Sequence, residues 1–250
     1  MSALTDAQLH FARFEFKYVL PQALRHDVES ELQYFLELDP YVAKKQGHKY
    51  FVRSLYFDDA QFSSFNEKHD GLRTRSKFRV RTYTDNPTEH TPTFLEIKGR
   101  HNNLVFKHRA ALNTDGLGVL EQGDAFSQRI LSSCQPSQVK DQFEYQLYRK
   151  QLRPVALVDY WRRPYVSKYD PEFRLTFDEQ LHGTSTQAMF GHSDDTRRGL
   201  VSGYTVLEVK FKRHIPSWFH RIIQSYQLRR VSISKICEAV ETLEMAVDYS

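Results

Sequence analysis

The residues with the clearest chemical meaning are basic side chains that repeat two positions apart. Lys77, Arg79 and Arg81 form one such set, and Lys98 with Arg100 forms another. Because alternate residues of a β-strand point to the same face, each set lines up its cations side by side. Guanidinium groups match phosphate oxygens in pairs, and lysines add point charges. The pattern therefore predicts a surface that binds a phosphate chain.

A few carboxylates share these basic faces. Glu96 lies two positions from Lys98, Glu208 lies two positions from Lys210, and Asp178 alternates in the same way with an arginine. Carboxylate oxygens are the ligands that Mg²⁺ and Mn²⁺ prefer, and both ions bridge phosphate oxygens. The carboxylates are therefore candidate ligands for a divalent metal beside the phosphate chain.

Strands are needed to position these side chains. The chain is rich in aromatic residues, which favours β structure, and eight segments show strand-like alternation or β-rich composition. They are Arg13–Leu20, Tyr50–Asp58, Ser76–Thr84, Thr93–Arg100, Leu104–Leu112, Val155–Val166, Glu172–Leu181 and Gly203–Arg213. The short turn GRHNN between the fourth and fifth segments predicts a hairpin, and therefore antiparallel pairing.

Helical patterns fill the intervals between the strands. The first follows Pro21, which suits the first turn of a helix. The patterns are ALRHDVESELQYFLEL, DAQFSSFNEKH, GVLEQGDAFSQRILSS, SQVKDQFEYQLYRKQL, PSWFHRIIQSYQL and SKICEAVETLEMAV.

The second face of most strands is bulky and apolar, and this decides the fold class. A sheet with one solvated face would also alternate, but such faces usually mix Thr, Ser and Gln with the charges. We favour an α+β fold, an eight-stranded antiparallel β tunnel or barrel with helices packed outside, as a single domain over residues 1–250. Eight strands leave a lumen for side chains and one slim ligand. Because isolated buried charge is costly, a basic lumen predicts water and a polyanion.

Composition limits the remaining classes. The 250 residues are 40% hydrophobic and 26% charged, with a formal net charge of +4. No uninterrupted apolar stretch approaches the roughly 20 residues of a membrane span, and the N-terminus lacks a secretory apolar region. Cys134 and Cys237 form no metal or redox motif, which favours a cytoplasmic location.

The order of these motifs resembles the triphosphate tunnel metalloenzymes, and within them the polyphosphate polymerase domain of the vacuolar transporter chaperone (VTC) complex. The resemblance spans nearly the whole chain. It rests on FEFKY, SLYFD, KFRVRTY, FLEIKGR, VFKHRA, YWRRPY, RLTFDE, VLEVKFK and SISKICEAV.

The resemblance implies a role for each matched residue. The implied phosphate contacts are Lys17, Arg79, Arg81, Lys98, Lys107, Arg162, Lys210 and Lys235, with Arg109 and Arg174 as further candidates. Of these, Arg79, Arg81, Arg162 and Lys107 would act on the transferred phosphate. Glu208 would bind Mn²⁺ or Mg²⁺, with help from Glu96 or Asp178. Tyr160 alternates with Arg162 and is a candidate for a phosphate hydrogen bond.

These roles describe a metal-dependent polyphosphate polymerase that transfers the γ-phosphate of ATP to a growing inorganic polyphosphate chain. Hydrolytic members of the superfamily begin with E-x-E-x-K, whereas Arg13 replaces the first Glu here, as in the polymerase branch. Glu15 leaves a triphosphatase or polyphosphatase as the alternative, and a non-catalytic polyphosphate-binding module as another.

The resemblance and the residues also bear on partners. An RNA-binding protein is disfavoured because the aromatic residues alternate away from the basic ones, so no nucleic-acid polymer is expected. The regulatory and membrane domains of the VTC complex are not found in these residues, so a separately encoded membrane protein is a candidate partner.

Overall fold

The computed structural model describes residues 13–86, 91–113 and 123–246. The strands in these ranges are β1 (Arg13–Pro21), β2 (Leu36–Leu38), β3 (Tyr50–Asp58), β4 (Thr74–Thr82), β5 (Thr93–His101), β6 (Leu104–Leu112), β7 (Arg153–Ser167), β8 (Arg174–Ser185), β9 (Arg198–Gly199), β10 (Tyr204–Phe211) and β11 (Arg230–Val231). The α-helices are α1 (Gln22–Leu32), α2 (Pro40–Ala43), α3 (Ser63–His69), α4 (Gly123–Ser133), α5 (Gln138–Lys150), α6 (Ser217–Ser225) and α7 (Lys235–Thr242), with a 3₁₀ turn at Gln46–His48. No helix in these ranges is long and apolar enough to cross a lipid bilayer.

Eight of the strands join into a closed ring. Their order is β7-β3-β4-β5-β6-β1-β10-β8, and β8 pairs back with β7. Every pairing in the ring is antiparallel. The predicted eight-stranded antiparallel tunnel is therefore confirmed, with helices packed outside it except for α7, which packs inside. Each predicted segment is a ring strand: Tyr50–Asp58 and Leu104–Leu112 have the predicted ends, and the ends of the others shift by at most four residues. The predicted β5–β6 hairpin is also present, with Asn102 at a φ of 52° in its turn.

The first predicted helix is shorter than its pattern. It ends at Leu32, because Leu36–Leu38 pairs with β7 as the edge strand β2 and buries Leu36. Pro21 is the last residue of β1 and precedes the helix instead of starting its first turn. Here pairing with a distant strand overrides the local helical pattern. Part of the pattern GVLEQGDAFSQRILSS, residues 118–122, lies outside the described residues.

Two apolar cores cover the outside of the ring. The outward residues of β3, β4 and β5, among them Leu55, Val80 and Ile97, pack against α4 and α5. On the other side, α1 and α6 pack over the outward residues of β1, β8 and β10. Each fully buried Leu or Phe contributes roughly 1.5–3 kcal/mol. These cores fix which face of each strand points into the ring.

A third apolar core lies inside the ring and includes α7. Val158, Leu181 and Val206 point inward and pack against Ile236 and other residues of this helix. Leu181 takes the inward face because β8 bulges where it pairs with β7, and Gln180 at the bulge has a φ of 52°. Such bulges re-aim the side chains that follow them. The helix therefore fills part of one end of the tunnel and leaves a polar section beside it.

Candidate functional site

The polar section of the tunnel is a cavity of about 400 Å³. Thirteen of the residues that line it are Lys or Arg, and two are Glu. The cations come from several ring strands, among them β1, β4, β5 and β10. Such an excess of one charge inside a protein calls for an anionic ligand, because uncompensated buried charge is costly.

One set of cations crosses three strands in a straight row. Lys98 of β5 is the direct cross-strand partner of both Lys77 of β4 and Lys107 of β6. Like charges that face each other directly destabilise a sheet. Burial, opposed only in part by neighbouring carboxylates, lowers the pKa of Lys98 and of Lys107. A bound anion would therefore stabilise this row, because it would offset the repulsion among the three lysines.

The partners of this row differ from one lysine to the next. Lys98 donates to Glu15 Oε1 at 2.7 Å, and Lys107 donates to Glu96 Oε1 at 3.1 Å. Lys77 instead donates to the hydroxyl of Ser234 at 2.8 Å and to Cys237 Sγ at 3.0 Å. These partners are uncharged, and within the described part of the chain no carboxylate forms an ion pair with Lys77.

Two of the three arginines of β4, Arg79 and Arg81, are held by fixed partners. Arg79 donates from Nε and Nη2 to Glu96 Oε2 at 2.9 and 2.7 Å, and from Nη1 to the Tyr56 hydroxyl at 2.9 Å. Arg81 donates to the hydroxyls of Ser54 at 3.0 Å and Tyr160 at 3.1 Å. Burial would raise the pKa of Glu96, but Arg79 and the neighbouring cations lower it well below its usual range. Glu96 therefore stays ionised and orients the guanidinium groups.

A third fixed arginine, Arg162, lies on β7. Arg162 donates from Nε and Nη2 to the two oxygens of Asp178 at 2.6 and 2.7 Å. Lys235, the first residue of α7, reaches Asp178 Oδ2 at 2.6 Å. Burial opposes the charge on Asp178, yet Arg162 and Lys235 lower its pKa. This ion-paired group ties α7 to the ring.

Acidic and basic residues alternate along strands β1 and β10 and face each other across them. Glu15 is the cross-strand partner of Lys210, and Lys17 is the partner of Glu208. Burial and the nearby Glu208 would raise the pKa of Glu15, but Lys98 and the other cations lower it to about 2. Burial likewise opposes ionisation of Glu208, and Lys210 with further cations brings its pKa well below the usual value. Both carboxylates are ionised at neutral pH.

The carboxylates of the cavity suit a divalent metal ion whose other ligands come from water and a bound phosphate chain. Among the described residues no three His, Cys, Asp or Glu side chains come together as a ready-made metal site. Mg²⁺ usually takes one or two carboxylates and completes its shell with water and substrate phosphates. Glu15 and Glu208 line the cavity and fit this role. Glu96 and Asp178 are bound by guanidinium groups and do not line the cavity. The predicted metal roles of Glu208, Glu96 and Asp178 all stay predictions.

The structure brings most of the predicted phosphate contacts into one cavity. Those that line it are Lys17, Arg79, Arg81, Lys98, Lys107, Tyr160, Arg162, Lys210 and Lys235. Arg109 and Arg174 lie outside this lining. Arg109 is exposed and stacks on Phe94 at 4.7 Å, and Arg174 is exposed near one end of β8.

Further residues line the cavity that were given no individual site role from the sequence. Lys77 and Arg100 belong to the basic faces that alternation selected, and Arg75 continues the same face of β4. Tyr56 also lines the cavity, but it stands among apolar residues of β3. Lys68 lies on helix α3, so no strand pattern could have found it.

Three comparisons with known proteins bear on the site. A family model described as VTC domain matches residues 12–244. The crystal structure of a putative adenylate cyclase from Bacillus halodurans is 14% identical, with a TM-score of 0.50, over 89% of this chain and 93% of that one. A structure from Pyrococcus horikoshii is 11% identical, with a TM-score of 0.48, over 92% of this chain and 99% of that one. No curated protein matches. At such identity the Bacillus structure supports the fold alone.

Proposed function

Since the chain belongs to the VTC-domain family, we propose that it is a metal-dependent polyphosphate polymerase that transfers the γ-phosphate of ATP to a growing inorganic polyphosphate chain. The observation that carries the proposal is the row of directly opposed Lys77, Lys98 and Lys107 on the wall of a narrow cavity. A linear chain of phosphates can meet successive cations along such a wall. A single small anion would meet only a few of them.

The chemistry asked of the protein is positioning and charge stabilisation. Phosphoryl transfer needs little covalent participation by side chains. The terminal phosphate oxygen of the growing chain attacks the γ-phosphorus of ATP, the bond from that phosphorus to the bridging oxygen of the β-phosphate breaks, and ADP leaves. Arg79, Arg81 and Arg162 would surround the transferred group. Their rotamers are already fixed by carboxylates and tyrosines, so little reorganisation is needed in the transition state.

The remaining groups hold the chain and the metal. Lys17, Lys98, Lys107 and Lys210 would contact neighbouring phosphates. Mn²⁺ or Mg²⁺ held by Glu208 and Glu15 would neutralise charge on adjacent phosphate oxygens. Arg13 lines the cavity at the position where the hydrolytic members of the superfamily begin their E-x-E-x-K motif with glutamate. This replacement favours the synthesis of a phosphate chain over its hydrolysis.

A triphosphatase is the second candidate, and Glu15 favours it. This carboxylate lines the cavity and is ionised above a pH of about 2. It could orient a water molecule toward a terminal phosphate. The two functions differ in the group that attacks, since water replaces the polyphosphate end.

The test incubates purified protein with ATP and Mn²⁺ or Mg²⁺ and resolves polymer on a gel while free phosphate is assayed in parallel. Glu208→Gln is compared with Glu172→Gln, which changes an exposed glutamate paired with Lys212. We expect polymer from the wild type and from Glu172→Gln, and a loss of at least about a hundredfold in Glu208→Gln. Free phosphate without polymer would identify a triphosphatase. Metal-dependent binding without turnover would leave a binding module.

A further inference from the structure

A second row of like charges adjoins the lysine row. Arg75 of β4 and Arg100 of β5 are direct cross-strand partners, two positions along from Lys77 and Lys98. Both arginines line the cavity. Opposed like charges destabilise the sheet here as well, so this position also favours an anion.

The partners of these two arginines are uncharged. Arg75 donates from Nη1 to the backbone carbonyl of Lys68 at 3.2 Å, and Arg100 donates from Nε to that of Asn102 at 2.6 Å. Among the described residues no carboxylate forms an ion pair with either one. This contrasts with the inner arginines, where Glu96 and Asp178 balance the charge. The carbonyls orient the guanidinium groups and leave their charge free for a ligand.

A third arginine lies close to this pair. Arg230 of β11 stacks on Phe16 with its guanidinium carbon 3.5 Å from the ring centroid. A smaller cavity of about 270 Å³ is lined by Arg230, and it shares Arg100, Lys17 and the carboxylate of Glu15 with the main cavity. Burial, together with the charges of Arg75 and Arg230, lowers the pKa of Arg100. Arg75 and Arg100 therefore line the main cavity close to the smaller one, which Arg230 lines from the neighbouring strand β11.

We propose that Arg75 and Arg100, with Arg230 at the adjoining smaller cavity, form an outer phosphate subsite that holds the units of a linear condensed phosphate beyond a triphosphate. The inner groups bind the reacting phosphates, and the outer arginines add contacts that only a longer chain can reach. The subsite thereby gives the protein a preference for chain length. This inference rests on the proposed binding of phosphate chains and is independent of polymer synthesis.

The test compares the affinities of tripolyphosphate and of a long linear polyphosphate for the wild type and for the double variant Arg75→Gln/Arg100→Gln. We expect the double variant to lose about tenfold in affinity for the long chain and less than about twofold for tripolyphosphate. The matched control is Arg73→Gln, an exposed arginine just before β4 that does not line either cavity. It should leave both affinities unchanged.

Thermal unfolding without phosphate separates lost binding from lost folding. Because the double variant removes opposed like charges, its unfolding temperature should equal or exceed that of the wild type. Equal losses for both ligands, no loss for either, or the same loss in Arg73→Gln would each overturn the outer subsite. A wild type that binds neither phosphate would defeat the proposed function as well. A length-dependent affinity without polymer synthesis would defeat the polymerase alone.

Discussion

At the scale of single residues, tyrosines set the geometry of the arginines. The Tyr56 hydroxyl accepts from Arg79, and the Tyr160 hydroxyl accepts from Arg81. Burial would raise the pKa of Tyr56, but Arg79, Arg81 and Lys235 lower it to about 8. Tyr56 is thus a candidate positioning residue that changes charge at mildly alkaline pH. Its phenolate would compete with phosphate for Arg79.

The variant Tyr56→Phe tests this competition. Wild-type affinity for tripolyphosphate should fall as pH rises through about 8, because the phenolate neutralises part of the charge on Arg79. The variant should show a shallower fall. The fall remains in part because burial, against the attraction of Glu208, lowers the pKa of Lys210 to about 8 as well. Tyr145→Phe, at an exposed tyrosine, is the control. Identical pH profiles in wild type and Tyr56→Phe would show that the phenol does not compete.

The same ionisation affects stability with the opposite sign. The folded-state pKa of Tyr56 lies below its unfolded value of about 10, so its ionisation stabilises the fold. That contribution is complete above a pH of about 10 and is lost as the pH falls toward 8. Binding and stability therefore move in opposite directions over this range.

Sequence reasoning identified the inward residues well but not their position along the tunnel. Alternation assigns Arg109 and Arg174 to basic faces, yet both lie beyond the cavity. A period of two fixes the face of a side chain, whereas the depth depends on register and strand tilt, which come from distant pairings. Tyr56 was not selected because the polar role of a tyrosine among apolar residues emerges only from its arginine partner.

At the scale of elements, α7 has a role that its pattern could not reveal. The segment SKICEAVETLEMAV is amphipathic, and such a helix could pack either outside the ring or within it. The structure buries its apolar face inside, against Val158 and Val206, with Lys235 at its start bonded to Asp178. Helix α7 thus connects the apolar core inside the ring to the ion pairs of the site.

The variant Asp178→Asn should weaken this link. Asp178 is fully buried and balances both Arg162 and Lys235. Loss of its charge leaves these two buried cations only one described carboxylate, the more distant Glu208, which lies 3.7 Å from each. We therefore expect the free energy of unfolding to fall by about 3–5 kcal/mol. Chemical denaturation measures the change, and tripolyphosphate should recover part of it by supplying negative charge. Glu172→Gln breaks an exposed pair and should cost less than about 1 kcal/mol. A comparable loss in the two variants would contradict the anchoring role.

At the scale of the whole molecule, the charge is concentrated rather than large. The net charge of +4 over 250 residues is modest, yet thirteen Lys and Arg residues line one cavity together with two Glu. Composition therefore gave little sign of an anion-binding protein, and the alternation along strands gave most of it. The folded protein without a ligand retains unfavourable repulsion inside the ring. A bound polyanion should relieve that repulsion and stabilise the entire fold.

Thermal unfolding with and without tripolyphosphate tests this coupling between ligand and fold. A ligand at a hundred times its dissociation constant stabilises the folded state by about 2.7 kcal/mol. For a chain of this length that corresponds to a rise of roughly 5–10 °C in the unfolding temperature. Sulfate at equal concentration is the matched control, and it should give a much smaller rise because one small anion cannot meet successive rows of cations. Raising the salt concentration from about 0.05 to 0.5 M should reduce the tripolyphosphate effect without abolishing it, since buried charges are screened less than exposed ones. Equal rises with sulfate and tripolyphosphate would show that the cavity recognises charge alone and not a phosphate chain.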